Sequence, residues 1–273
     1  MTDRPNPVVP NPWSSLRRFT DARIALGRVG SSLPTEAHLA FQLAHAQARD
    51  AVHLPLDGDA ISAQLHARGL ESVRLHSAAP DRLIYLKRPD LGRRLNDSSH
   101  ALMAERAMAL GAGLDVVFVI ADGLSARAIH ENAVSLLDCI LPELSSAGWR
   151  IGPIPIVEQG RVAIGDAIGE ILKPEILVML IGERPGLSAP DSLGIYLTHG
   201  PRVGRTDADR NCLSNVRVAG LSHATAAHKL RYLLEESRRR ALSGVSLKEG
   251  ADEVPRLVDA GEAANFLLPP DAS

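Results

Sequence analysis

Two apolar runs, Leu114–Ala121, broken only by Asp115, and Ile176–Ile181, decide what this chain can fold into. A strand with one wet face alternates apolar and polar residues. A strand buried on both faces does not, so these runs call for a parallel sheet covered by helices on either side. The first run lies in LDVVFVIAD and ends at Asp122-Gly123. It leads into residues 126–146, where Ile129, Val134, Leu137 and Leu141 recur at helical spacing. Arg150–Val157 reads as the next strand, Ala167–Leu172 as a short helix and Glu175–Gly182 as a third strand. A strand at Ser192–Thr198 and an amphipathic helix across His223–Leu242 complete the expected unit. It is an α/β, doubly wound, mainly parallel sheet over residues 101–245. Ligands of such sheets bind beyond the carboxyl ends of the strands, which singles out Asp122, the loop around Gly160–Ile164, and Glu183.

Outside that unit the pattern is weaker. Residues 1–12 carry four prolines and read as a disordered lead-in, with order expected from near Trp13. Residues 13–100 are expected to form a mostly helical accessory or docking region. There Leu39 and Leu43 fall at helical spacing, and Thr35 stands where a cap is wanted, behind Pro34. Val73–His76 and Leu83–Leu86 look strand-like. Residues 246–273 are rich in acidic side chains, contain Pro255 and a closing Pro-Pro, and read as a flexible extension.

Charge and cysteine content exclude several functions. The 30 basic and 32 acidic side chains leave a net charge of −2, which gathers neither nucleic acid nor anionic lipid. Two cysteines, Cys139 and Cys212, are too few for a disulfide framework or a cysteine-rich metal site. The opening MTDRPNPVVPNP is not a basic-then-apolar signal, so a reducing, cytoplasmic setting is expected. No apolar run approaches the roughly 20 residues of a membrane span, and none is expected.

Motifs narrow the chemistry further. Neither a phosphate loop nor G-x-G-x-x-G follows the first strand, so purine nucleotides and nicotinamide cofactors lack their usual signature. Ser125, in Asp122-Gly123-Leu124-Ser125, reads as a helix cap. His223 and His228 are five apart and His130-Glu131 lacks a second histidine, so no protein-bound metal site is expected. Gly220-Leu221-Ser222-His223-Ala224 follows a strand-like stretch and opens a helix, as a hydrolase nucleophile elbow does. Such an elbow needs an acid and then a histidine far downstream, whereas only His223 and His228 follow Ser222, so a helix cap is the better reading. Glu183, in GERPGL, stands at the end of a buried strand and must either pair with an arginine or face a ligand. Tyr85–Leu95, YLKRPDLGRRL, is dense in guanidinium groups and reads as a solvated or partner-facing surface. Cys212, in DRNCLSN, is by residue type a small buried hydrophobe.

Taken together, YLKRPDLGRRL, DGLS at Asp122–Ser125, GRV at Gly160–Val162, IGEIL at Ile168–Leu172, GERPGL at Gly182–Leu187 and DRNCLSN at Asp209–Asn215 resemble the small subunit of ethanolamine ammonia-lyase. Arg23–Thr35 looks similar too, so the resemblance spans roughly residues 11 to 248. It implies one part of a hetero-oligomer that converts ethanolamine to acetaldehyde and ammonia by a radical mechanism with adenosylcobalamin. A separate large subunit, a barrel, holds the substrate. The α/β unit then becomes a Rossmann-like cobalamin-binding unit. By local motif the family's cobalamin contacts fall on Val162, Glu183 and Cys212, and no proton-transfer residue falls on this chain. A corrin ring is rimmed with neutral amide arms, which suits an acceptor, an apolar face and a small soft contact. Cobalt is carried by the cofactor, which performs the hard step. The Asp-x-His-x-x-Gly pattern that replaces the cofactor's lower base is absent, so the benzimidazole is expected to stay on cobalt.

Members of the family can carry a longer amino-terminal extension linked to packaging in a bacterial microcompartment. Only about a dozen residues precede the match here, which argues against packaging. Two rivals stand beside this expectation: an α/β hydrolase using Ser222, and a non-catalytic ligand-binding module.

Overall fold

The structure is a computed structural model and describes residues 7–247. Its amino-terminal arm begins with a bridge between Val9 and Arg28, followed by a 3-10 helix at Pro12–Phe19 whose start is held by the Asn11 side chain on the Trp13 N–H. Regular structure is therefore already present a few residues before Trp13; the rest of the expected lead-in, and the expected extension past Leu247, lie outside the described residues.

Two helices, α1 (Thr35–His53) and α2 (Gly58–His66), precede β1 (Ser72–His76). The expected helix over Leu39 and Leu43 is present, but its apolar spacing is not its buried face. Only Ala44 and Ala51 are buried in α1, while Leu39 and Leu43 are more than half exposed. Thr35 does not cap it: Pro34 occupies the cap position and no side chain satisfies the first turn. Leu83–Leu86 is also not a strand. It lies in α3 (Arg82–Lys87), because Asp81 accepts the Ile84 N–H and starts a helix there.

The remaining elements follow the expected alternation: α4 (Asp97–Leu110), β2 (Val116–Ala121), α5 (Ala126–Ser146), β3 (Ile154–Glu158), α6 (Ile164–Leu172), β4 (Ile176–Gly182), β5 (Leu193–His199), β6 (Arg210–Val216) and α7 (His223–Arg240). The sheet order is β1-β3-β2-β4-β5-β6. Strands β1, β3, β2 and β4 run parallel, and β5 and β6 add an antiparallel edge. The expected α/β, doubly wound, mainly parallel sheet is thus present. β1, from the stretch expected to be accessory, is its other edge.

Strand alternation separates two cores. Val116, Phe118 and Ile120 face α5 and α7 with Ile129, Leu136, Leu137 and Leu230. Val117, Val119 and Ala121 face α4 and α6 with Met103, Ile164 and Ile168. Both faces of β2 and β4 are fully covered, which is why their sequences are continuously apolar. Since α5 and α6 lie on opposite faces, the chain leaves β2 and its neighbour β3 in opposite directions. That is the topological switch point, where a ligand crevice is expected. Among the described residues no helix is long and apolar enough to cross a membrane.

Candidate functional site

The switch point is closed by the chain's own side chains. Asp122, at the end of β2 and 2% exposed, accepts the Gln159 N–H on Oδ2 and the Gly160 N–H on Oδ1, both at 3.0 Å. Arg82 of α3 comes down onto it, its Nη1 3.3 Å from Oδ2, and also donates to Gly123 O and Gln159 Oε1. Burial pushes the Asp122 carboxyl up to about 6, against the pull of Arg82 and the backbone donors. Tyr85, fully buried, closes the rest, with the Arg82 and Arg161 guanidiniums 4.8 Å and 4.2 Å from its ring centroid. From the YLKRPDLGRRL stretch it is Tyr85, not the arginines, that enters this closure: Arg82 and Arg161 lie outside the stretch, and its own Arg88, Arg93 and Arg94 are exposed, as a solvated surface would have them.

The turns after β2 and β4 touch through their glycines. Gly123 has φ of +55°, and a Cβ there would lie 2.2 Å from Gly182 O; the Leu124 N–H donates to that same oxygen. Ser125 then caps α5, accepting the Ala128 N–H and donating to Pro190 O. The expectation for Ser125 holds.

Past this contact, on the α6 face, a second arrangement opens over the antiparallel edge. Glu183 N donates to Ser192 O and continues the β4 ladder. The Glu183 side chain then lies across Gly194 of β5, where no Cβ intervenes; a methyl group there would stand 3.1 Å from Glu183 Cγ and Oε1. Its carboxylate accepts hydrogen bonds from the Ser192 and Ser214 hydroxyls and, at 3.2 Å, from the Asn215 N–H. Among the described residues these neutral donors, not an arginine, are its partners. Asn215 holds a φ of +60°, a conformation asparagine tolerates better than most residues.

Cys212 sits on β6 directly opposite Tyr196 of β5, which is opposite Met179 of β4. It is exposed, not buried as its residue type led one to expect, because among the described residues α7 covers the other face of β5 and β6 and no helix covers this one. Desolvation against the sheet nevertheless pushes its thiol up, with Glu183 adding to the shift, so the thiol is neutral at neutral pH. Burial raises the Tyr196 hydroxyl too, with the Cys212 thiol beside it. Val162 lies in the turn before α6 and packs, half-buried, against the same core as Tyr196. Glu183 and Cys212 thus come together around Tyr196, and Val162 borders the same face of the sheet.

Sequence reasoning missed Tyr196, Gly194 and the pair that fixes α6 to β6. Arg210 forks onto both oxygens of Asp166 at 2.7 Å, with both side chains almost wholly buried. The signal was there: an acid in the first turn of a short helix and an arginine at a strand start.

Ser222 caps α7, accepting the Thr225 N–H, and its hydroxyl pairs with the Thr225 hydroxyl. His223 turns to Asn132 instead of Ser222. This is a helix start without the contacts of a nucleophile elbow.

The sequence matches the family of the ethanolamine ammonia-lyase light chain over residues 10–248. It is 59% identical over 269 residues to the ethanolamine ammonia-lyase small subunit of Azotobacter vinelandii, covering 98% of this chain and 99% of that one. It is 58% identical to the small subunits of Ralstonia nicotianae and of Pseudomonas fluorescens, covering 97% of each chain in both cases. With a family match over most of the chain and relatives aligned end to end, this protein belongs to the ethanolamine ammonia-lyase small-subunit family.

Proposed function

We propose that this chain is the small subunit of an adenosylcobalamin-dependent ethanolamine ammonia-lyase, contributing cobalamin contacts through Val162, Glu183 and Cys212 while a large subunit holds ethanolamine. The observation that carries the reading is the Glu183 arrangement: an acceptor laid on a sheet face that no described helix covers, held by neutral donors and flanked by a neutral thiol. Neutral amide arms are recognised by such a surface. A carboxylate has about four acceptor positions, and three are used here, which leaves room for an incoming amide N–H. The residues present therefore fit the group. When bound, adenosylcobalamin would supply, by homolysis of its cobalt–carbon bond, the radical that initiates carbon–nitrogen cleavage. This chain's part is to accept amide hydrogens at Glu183, offer an apolar edge at Val162 and exclude water beside Cys212.

The docking surface in this reading is the outer part of the 13–100 region. Trp13, Phe19, Leu39, Phe41 and Leu43 are all exposed, more apolar surface than an arm facing only water normally carries. The large subunit covers it, and the sheet edge then faces that subunit across the cofactor.

The test is cobalamin titration of the complex of both subunits, wild type beside Glu183→Gln, with thermal unfolding in parallel. Loss of charge assistance should weaken binding by roughly 1–2 kcal/mol, about tenfold, with near-normal melting. Unchanged affinity with a lowered melting temperature would make Glu183 structural. The chain alone should release no acetaldehyde from ethanolamine.

A further inference from the structure

The turn that carries Val162 is pinned at four backbone groups by residues that do not border the Glu183–Cys212 face. The N–H groups of Gln159 and Gly160 go to Asp122. The Gly160 carbonyl accepts the Tyr85 hydroxyl at 3.0 Å. The Arg161 N–H donates to Gly92 O at 2.7 Å, and the Arg161 guanidinium lies over the Tyr85 ring and reaches Tyr85 O at 3.4 Å. The fit is close: a Cβ on Gly92 would meet Arg161 Cγ at 2.8 Å and the Tyr85 ring at 2.9 Å. Gln159 is held at φ of +57°, a conformation a free loop with a non-glycine residue leaves readily. The Arg161, Val162 and Ala163 carbonyls in turn accept the Ile164, Gly165 and Asp166 N–H groups that start α6.

Connections of this length between a strand and a helix are common, and this one is braced by side chains from the end of β2 and from α3. Bracing matters where one side chain must be presented at a fixed place. We infer that Tyr85, through its hydroxyl on Gly160 O and its ring beneath Arg161, is a positioning residue that sets where Val162 meets the cobalamin. It does so without touching the cofactor. The inference rests on the proposed cobalamin site and adds a control to it from α3, an element the switch point would otherwise present to a ligand.

The chemistry offers a clean separation. Tyr85→Phe removes the hydroxyl bond to the loop but keeps the ring, its burial and both guanidinium contacts. The fold and the Asp122–Arg82 pair are left in place. In the complex with the large subunit, titrated with cyanocobalamin and followed by its absorbance, Tyr85→Phe should raise the Kd about threefold to tenfold. At saturating adenosylcobalamin, kcat should stay within about twofold of wild type, because the ordered turn is recovered once the cofactor is in place. Tyr85→Leu, which also removes the ring from beneath Arg161, should weaken binding further, and Tyr85→Phe should stand between it and wild type. A purely structural tyrosine would lower the melting temperature while leaving the Kd of the folded complex unchanged, and that result overturns the inference. Glu183→Gln, measured beside it, separates the two levels. If it weakens cyanocobalamin binding while Tyr85→Phe does not, positioning by Tyr85 fails and the cobalamin site stands. If neither Glu183→Gln nor Val162→Ala changes the Kd, the site itself is refuted, and the positioning inference with it.

Discussion

Glu183 rests on Gly194: the glutamate Cγ and Oε1 lie 3.1 Å from where a Cβ at position 194 would stand. The absence of a side chain on β5 is what lets a carboxylate from β4 reach hydroxyl and N–H donors on β6. Gly194→Ala should therefore act on the carboxylate before it acts on the fold, because the backbone there needs no left-handed conformation. Crowding by one methyl group costs about 1 kcal/mol or a little more. If that displaces Glu183, cobalamin affinity of the assembled complex falls about fivefold to tenfold. Titration checks it. An affinity equal to wild type, with the alanine visibly accommodated, would show that Glu183 can reach the same place by another route.

A second expectation concerns the joint between α6 and β6. Arg210 is held by both oxygens of Asp166 and by Thr198 Oγ1, all out of water. Removing one partner from such a pair leaves the other charge buried and uncompensated, at a cost of about 3–5 kcal/mol. Asp166→Ala should accordingly unfold at far lower denaturant concentration. The double change Asp166→Leu with Arg210→Met, which removes both charges and keeps volume, should recover much of that loss. Urea unfolding of the three chains decides it: a double variant no better than Asp166→Ala would mean that Arg210 contributes through Thr198 and the Arg205 carbonyl instead.

What the residue pattern disclosed and what it hid have physical causes. The buried strands were legible because a parallel strand covered on both faces leaves a continuous apolar run, and Val116–Ala121 and Ile176–Gly182 are such runs. α5 was legible for the same reason, through period. α3 was misread because Leu83–Leu86 is too short for periodicity to separate helix from strand, and the decisive signal was the Asp81 cap just outside it. For α1, the spacing of Leu39 and Leu43 disclosed the helix, but spacing reveals a stripe and not what covers it. At the candidate site, Glu183 and Cys212 were approached through local motifs. Their meeting place depends on Tyr196 and Gly194, which enter only through cross-strand register. Pairing across strands is a long-range property, and no local window of sequence contains it.

The last expectation is a pH dependence with a definite sign. His223 opens α7, and its Nε2 is 2.8 Å from Asn132 Oδ1. Asn132 spends its amide hydrogens on Ala128 O and Asp191 O, so its oxygen can only accept, and His223 Nε2 must be the protonated nitrogen. Burial lowers the His223 pKa, since a charged ring is poorly hydrated there and sits at the positive end of a helix. A histidine depressed on folding binds more protons in the unfolded chain. Its contribution is fully present above the unfolded value of about 6.5 and is lost as pH falls through the folded one. His223→Gln places an uncharged amide N–H near the Nε2 position and can keep the bond to Asn132. The wild type should then lose stability relative to His223→Gln between about pH 7 and pH 5, with the two curves parallel above pH 7. Urea midpoints at half-unit intervals across that range give the difference directly. A constant difference through pH 5 would mean that the ring takes up its proton as easily folded as unfolded. Burial against Asn132 would then exert no pull on its charge.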